Sequence, residues 1–169
     1  MTQRNVLTIF LASPGDLQPE RNEAQKVVAR LNKSVASHLN WQIDLLGWED
    51  TSPGYARPQA KINEDVDKCD LFIGVVWKRW GQSTGTYTSG FHEEFERALE
   101  RRRKAQGPEI WLFFKEISAD QLVDPGEQLR SVLAFKEIQI ERRELLYQEF
   151  RDKEQWSNKV NDWLAQHII

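Results

Sequence analysis

The sequence lacks the features that mark secreted, membrane-spanning and nucleic-acid-binding proteins. Its single cysteine, Cys69, cannot form an intrachain disulfide, so we expect a protein of the reducing cytoplasm. The longest apolar run, residues 71–77, is far shorter than the roughly 20 residues of a membrane-spanning helix. The formal net charge of −3 offers no basic surface for a nucleic acid or an acidic membrane. We therefore expect neither a nucleic acid nor a membrane as a partner.

Sequence motifs of several enzyme classes are missing as well. The chain contains neither a Gly-x-x-x-x-Gly-Lys phosphate loop nor a Gly-x-Gly-x-x-Gly dinucleotide motif. The histidines His38, His92 and His167 do not have the spacing of a metal-ligand set with Cys69. We therefore expect neither an ATPase nor a metalloenzyme, and no resident metal or cofactor.

The apolar residues that are present predict one domain of alternating strands and helices. The chain has 169 residues, 40% of them hydrophobic, which suffices for a core without metals or disulfides. Strands that alternate with helices form a parallel sheet covered on both faces. We predict a single domain over residues 1–169, a flavodoxin-like three-layer α/β sandwich with five parallel strands in the order 2-1-3-4-5. The predicted strands are Val6–Ala12, Trp41–Trp48, Leu71–Trp77, Ile110–Phe114 and Leu145–Phe150.

Two polar loops lie where such a sheet binds its ligands. In this strand order, ligands sit beyond the carboxyl ends of strands one and three. The first loop is Ser13-Pro14-Gly15-Asp16, and it precedes a helix whose free N-terminal amides suit a phosphate. In the alternative interpretation, Asp16 is the N-cap of that helix. The second loop covers residues 78–90, which form either a catalytic lid or a plain flexible loop.

One carboxylate of the helix predicted over residues 91–104 is a candidate catalytic group. Glu94 falls at the margin of the buried stripe, whereas Glu93 and Glu96 point away from it. Glu94 can therefore project into a partly desolvated cleft, or it can rim the core and pair with Arg97 or another nearby arginine. The stripe itself consists of Phe91, Phe95, Ala98 and Leu99.

Three separated motifs resemble the TIR-like family found at the N-termini of STAND (NACHT-type) ATPases. They are residues 11–21, LASPGDLQPER, residues 69–74, CDLFIG, and residues 89–98, SGFHEEFERA. The resemblance implies the flavodoxin-like fold of the TIR superfamily, which is distantly similar to nucleoside deoxyribosyltransferases. In those proteins a glutamate on the third helix acts at the anomeric carbon of a sugar, and Glu94 occupies the matching position.

The resemblance also implies an activity, because many TIR relatives cleave NAD between nicotinamide and ribose. Nicotinamide leaves as a neutral pyridine, so one carboxylate that stabilises or traps the oxocarbenium-like ribosyl centre suffices. The implied function is that of an NAD(+) nucleosidase in prokaryotic antiviral defence, active when oligomerised, with NAD as substrate rather than cofactor. The alternative is a non-enzymatic self-association or adaptor domain of a signalling ATPase, in which Glu94 is structural.

Further residues complete the expected nucleotide site. The aromatic side chains of Trp77, Trp80 and Tyr87, at the end of the third strand and in the second loop, can stack on a base, although such residues also pack in cores. Arg79 or Arg57 can hold a pyrophosphate through bidentate hydrogen bonds. The expected substrate-binding residues are Ser13, Pro14, Gly15, Asp16, Arg57, Trp77, Arg79, Trp80, Tyr87 and Ser89.

Two partners follow from the resemblance. Relatives assemble through the loop after the second strand, which here carries Thr51, Pro53, Tyr55 and Pro58. In such assemblies this loop reaches a neighbouring copy and completes its site. The resemblance further implies a C-terminal ATPase module in a full-length chain, of which these residues would be the N-terminal effector domain.

Overall fold

The computed structural model describes residues 3–47 and 59–169. No helix in these two ranges combines the length and the apolarity that crossing a bilayer requires. The strands are β1 Asn5–Ala12, β2 Trp41–Leu46, β3 Leu71–Val76, β4 Glu109–Lys115 and β5 Tyr147–Phe150. The helices are α1 Gln18–Lys33, α2 Val35–His38, α3 Gln59–Lys68, α4 Gly90–Arg103, α5 Ala119–Val123, α6 Gly126–Arg142 and α7 Lys153–Ile168.

The strands form one parallel sheet in the order β2-β1-β3-β4-β5, which confirms the predicted topology. All six residues of β3 are buried, as the continuous apolar run predicts for a central strand covered on both faces. The carboxylate of Asp70, just before β3, accepts a hydrogen bond from the backbone N–H of Thr8 at 2.9 Å. This bond adds to the ladder that joins β1 and β3.

Helices cover the two faces of the sheet with separate cores. One core contains side chains of α1 and α7, with the fully buried Trp156 among them. The other contains side chains of α3, α4 and α6, with Phe95 fully buried. At Gly74 in β3, a Cβ atom would lie 3.2 Å from the Leu112 side chain and 3.4 Å from Phe91. The missing Cβ thus lets the first turn of α4 pack close to the sheet.

Two short helices, α2 and α5, were not predicted, and the five strands and α4 match the predicted bounds within a few residues. The second predicted strand ends at Leu46 rather than at Trp48, which lies outside the described residues. A side chain caps the N-terminus of α7. Asp152 is the N-cap and its Oδ1 accepts a hydrogen bond from the Gln155 backbone N–H at 2.9 Å, while the Gln155 side chain accepts from the Arg151 backbone N–H.

Removing this cap should weaken α7 measurably. We expect Asp152→Ala to lower the free energy of unfolding by about 1 kcal/mol, because one N-terminal amide of the helix loses its acceptor. Urea denaturation followed by circular dichroism measures the change. Asp162→Ala, at an exposed position inside the same helix, should not destabilise the protein, since alanine has the higher helix propensity. Equal losses in the two variants would show that the cap contributes nothing.

Candidate functional site

The loops that follow β1 and β3 meet at the carboxyl edge of the sheet, and Asp16 joins them. Its Oδ2 accepts hydrogen bonds from the backbone N–H groups of Lys78 and Arg79, each at 3.0 Å. Asp16 is not the N-cap of α1. That position belongs to Leu17, which makes no side-chain cap hydrogen bond. The capping interpretation is wrong, because the Asp16 carboxylate binds the backbone amides of the loop after β3 and not those of α1.

The interior of this junction contains polar atoms without partners. Within residues 3–47 and 59–169, Asp16 Oδ1 and Ser13 Oγ are buried and make no hydrogen bond. Burial raises the pKa of the Asp16 carboxyl above its usual 3.8, although the two amides and the nearby Arg79 act in the opposite direction. Buried polar atoms in this condition are rare in proteins and mark candidate functional positions.

The raised pKa of Asp16 predicts a dependence of stability on pH. The folded state holds the proton more firmly than the unfolded state, so this contribution is complete below pH 3.8 and is lost as the pH rises through the raised pKa. Asp16→Asn keeps an oxygen for the two amides but has no proton to lose. We expect the stability of Asp16→Asn relative to the wild type to increase as the pH rises above 3.8 and through the raised pKa.

Urea denaturation at several pH values within that range tests this expectation. Asp16→Ala serves as the contrast, because it removes the acceptor of two backbone amides and should be destabilising at every pH. A difference between wild type and Asp16→Asn that stays constant over the range contradicts the raised pKa.

Glu94 lies near the start of α4 and is half-buried. Its Oε2 is 3.6 Å from the point where a Cβ atom of residue 90 would stand, and Oε1 of Gln59 is 3.2 Å from the same point. The carboxyl group therefore reaches back along the helix to its N-terminus, as side chains of helices do. Arg97, the alternative partner considered above, donates hydrogen bonds to Asp67 through both Nε and Nη2. The structure thus assigns Arg97 to Asp67.

The neighbouring carboxylates of α4 do not point freely into solvent. Glu93 accepts hydrogen bonds from Asn63 Nδ2 at 2.6 Å and from Thr84 Oγ1 at 2.9 Å. Glu96 accepts one from Arg142 Nη1 at 3.1 Å, and both carboxylates are half-buried. Both residues lie off the buried stripe, as expected, but they are not free in solvent, because Asn63 of α3 and Arg142 of α6 flank the helix on either side.

Trp77, expected to stack on a base, stands directly after β3 with its ring close to two ammonium groups. Lys78 Nζ lies 3.9 Å and Lys115 Nζ 4.1 Å from the ring centroid, both at cation–π distance. Lys115 also binds Glu20, with 2.7 Å between Nζ and Oε1. Sequence reasoning missed this buried pair. A glutamate in the first turn of a helix and a lysine at the end of a strand are usually exposed, so the sequence gives no sign that these two are buried together.

Trp80, the second aromatic candidate, is a core residue with 5% of its surface exposed. Its ring packs against Phe91 and Phe135, and its indole N–H donates to Thr88 Oγ1 at 2.9 Å. The side-chain oxygen of Gln128 accepts from its backbone N–H at 2.8 Å. Protein side chains therefore fill the space beside the Trp80 ring that a stacked base would need. Trp80 packs in the core, as the alternative interpretation expected.

The remaining candidates have varied surroundings. Tyr87 is half-buried and stands edge-on to the ring of His92, with 5.4 Å between the centroids. Ser89 is fully buried as the N-cap of α4, and its Oγ accepts from the His92 backbone N–H at 3.0 Å. Pro14 is buried, whereas Gly15 is exposed and a Cβ there would contact nothing. Arg57 and the assembly residues Thr51, Pro53, Tyr55 and Pro58 lie outside the described residues.

The structure therefore brings together only part of the predicted set. Residues 13–16 meet residues 78–79 at the crossover, and Ser89 and Glu94 both stand at the start of α4. Trp80 and Tyr87 belong to neither of these two groups. They line a cavity of about 560 Å³ together with Gln128 of α6.

A parallel sheet in this order, with helices on both faces and polar loops at its crossover, defines an α/β protein of the flavodoxin-like fold. Within that class the chain belongs to the family described as Domain of unknown function (DUF4062), whose model matches residues 8–165. This description names no relationship to TIR or STAND proteins, so that resemblance stays a prediction.

Two further comparisons accompany the family match. The chain is similar to general stress protein 14 of Treponema denticola, whose crystal structure is a complex with FMN. The identity is 11%, the TM-score is 0.42, and the match covers 96% of this chain and 99% of that one. No curated protein matches the sequence.

Proposed function

We propose that the protein is a TIR-like effector domain that cleaves the N-glycosidic bond of NAD or a related nucleotide when oligomerised, in prokaryotic antiviral defence. The observation that supports this proposal is the position of the Glu94 carboxyl group. It is half-buried and reaches the N-terminus of α4, at the sheet edge where open α/β proteins bind their ligands. The proposal includes the link to STAND (NACHT-type) ATPases that the sequence motifs imply.

The reaction asks little of the protein beyond one carboxylate. The bond between ribose C1′ and the nicotinamide nitrogen breaks, and its electron pair neutralises the pyridinium. Glu94 faces the positive charge that develops on the ribosyl centre and stabilises it, or forms a transient ester with C1′. Water then adds to C1′ and releases ADP-ribose and a proton.

The loop of residues 13–16 offers a surface for the rest of the nucleotide. Gly15 is exposed with open space around it, so a ligand can approach the backbone closely. The hydrogen bonds from Lys78 and Arg79 to Asp16 hold the two loops together, and the exposed Arg79 side chain starts from the same junction. An arginine at this point suits a pyrophosphate.

Release of nicotinamide from NAD by the concentrated protein tests the proposal. We expect Glu94→Gln to lower the rate at least about 100-fold, because the charge that stabilises the transition state is lost. Glu100→Gln, at an exposed position on the same helix, is the matched control and should keep the wild-type rate. Chromatography of nicotinamide and ADP-ribose gives the rates.

Two results would overturn the enzymatic proposal. One is an absence of nicotinamide release from the wild type at concentrations where light scattering shows that it is oligomeric. The other is equal release by the wild type and Glu94→Gln. An oligomer without turnover would favour the adaptor alternative.

A further inference from the structure

A side chain of α1 binds the outer edge of β2. This strand stands at one edge of the sheet and pairs with β1. The side-chain amide of Asn32, near the end of α1, binds both backbone groups of Ile43. Its Nδ2 donates to the carbonyl at 2.9 Å, and its Oδ1 accepts from the N–H at 2.8 Å. A residue of a neighbouring strand can bind the same two groups, so Asn32 takes the place of a further strand at this point.

The bonds to Asn32 show which backbone groups of β2 face outward. Because the N–H of Ile43 donates to Asn32, it points away from β1. The backbone groups of every second residue in a strand point to the same edge. Those of Trp41 and Leu45 therefore point outward too, one on each side of the position that Asn32 covers. Outward N–H and carbonyl groups in such a row are a template for an added strand.

The sequence of β2 is complementary to a second copy of itself. In an antiparallel pair centred on Ile43, this residue faces its own copy in a hydrogen-bonded pair, and Trp41 faces Leu45 of the second copy. Gln42 then lies opposite Asp44, which sets an amide donor against a carboxylate. These two side chains already form that bond within one strand, with 2.8 Å between Nε2 and Oδ1. The register therefore brings no like charges together.

We propose that the edge of β2 is a pairing surface for β2 of a second copy, and that Asn32 keeps this surface closed. Pairing centred on Ile43 needs the same N–H that Asn32 binds, so the capped and the paired arrangements exclude each other. In the paired arrangement two sheets join edge to edge, and both copies use the same residues about a two-fold axis. The proposal uses neither Glu94 nor a nucleotide.

Sedimentation of Asn32→Ala tests this inference. The backbone groups of Ile43 stand at a sheet edge, where water can replace the lost amide, so circular dichroism should show a folded protein. We expect the variant to dimerise at least about tenfold more tightly than the wild type, because both hydrogen bonds that compete with pairing are gone. Asn22→Ala, at an exposed position of the same helix, is the matched control and should associate as the wild type does. Asn32→Ser, whose side chain is too short to bind both groups, replaces Asn32→Ala if that variant does not fold.

Charge changes at Gln42 locate the contact. This side chain is exposed, so its replacement leaves the core intact. Added to Asn32→Ala, Gln42→Asp sets two carboxylates opposite each other and should weaken the dimer at least about threefold, whereas Gln42→Lys should strengthen it by a similar factor. The inference is wrong if the folded cap variant associates as the wild type does. It is equally wrong if the two Gln42 substitutions leave its dimer unchanged. None of these measurements involves NAD, so this surface and the proposed NAD cleavage stand or fall separately.

Discussion

Lys115→Met is expected to lower the free energy of unfolding by about 3–5 kcal/mol, because it leaves the Glu20 carboxylate buried without its partner. Only 3% of the Glu20 side chain and 17% of the Lys115 side chain are exposed. Across the described part of the chain, the second oxygen of Glu20 has no hydrogen-bond partner that could take over. Urea denaturation at neutral pH measures the loss.

Two further variants separate the ion pair from the volume of the side chain. Adding Glu20→Gln to Lys115→Met removes the uncompensated charge and should restore most of the lost stability. Lys136→Met is the matched control, because Lys136 binds Glu149 at 2.6 Å but the side chains are 27% and 46% exposed. That pair should contribute no more than about 1 kcal/mol. Similar losses in Lys115→Met and Lys136→Met would refute the role given to burial.

Trp156→Ala is expected to cost about 3–5 kcal/mol, the usual range for a fully buried aromatic residue. The Trp156 ring has no exposed surface, and its centroid lies 5.0 Å from that of Phe113 and 5.3 Å from that of Phe150. Its indole N–H donates to the backbone carbonyl of Glu20 at 2.8 Å. The substitution therefore opens a cavity between α7 and the sheet and also leaves a carbonyl unpaired. Thermal and urea denaturation both report the loss.

Trp163→Ala on the same helix provides the comparison. Trp163 is half-buried and packs edge-on against Trp111, with 5.3 Å between the centroids. Since water already reaches part of this ring, the alanine variant should lose clearly less stability than Trp156→Ala. Trp156→Phe, which keeps most of the ring volume, should lie between wild type and Trp156→Ala. A Trp156→Ala variant as stable as Trp163→Ala would contradict the assignment of Trp156 to the centre of this core.

The sheet was predictable because its buried strands appear in the sequence as runs of apolar residues. β3 is an unbroken apolar run, and the alternation of such runs with helical spacing leaves few topologies for a parallel sheet. The helices α2 and α5 could not be found in this way. They span only four and five residues, which is too short to show a helical spacing of apolar residues. In addition, α5 has no buried residue.

The meeting of the two loops after β1 and β3 was predictable, but the hydrogen bonds that join them were not. The strand order places residues 13–16 and residues 78–90 at one edge, and the structure joins them there through Asp16. Asp16 binds backbone amides, and every residue except proline has one. No pattern of side chains in the sequence therefore predicts which amides it binds. The ion pair of Glu20 with Lys115 spans 95 residues and depends on how α1 meets β4. Sequence spacing within one helix contains no information about such a contact.

The strand order also has a consequence for synthesis on the ribosome. β1 leaves the ribosome first, yet it pairs with β3, and the Asp70 that supports this pairing lies 62 residues beyond Thr8. At a translation rate of about 5–20 residues per second, the apolar β1 waits about 3–12 s for that neighbour. During this interval one side of the nascent strand has no hydrogen-bonding neighbour from its own sheet, so an apolar strand edge is open to aggregation while the chain is being made.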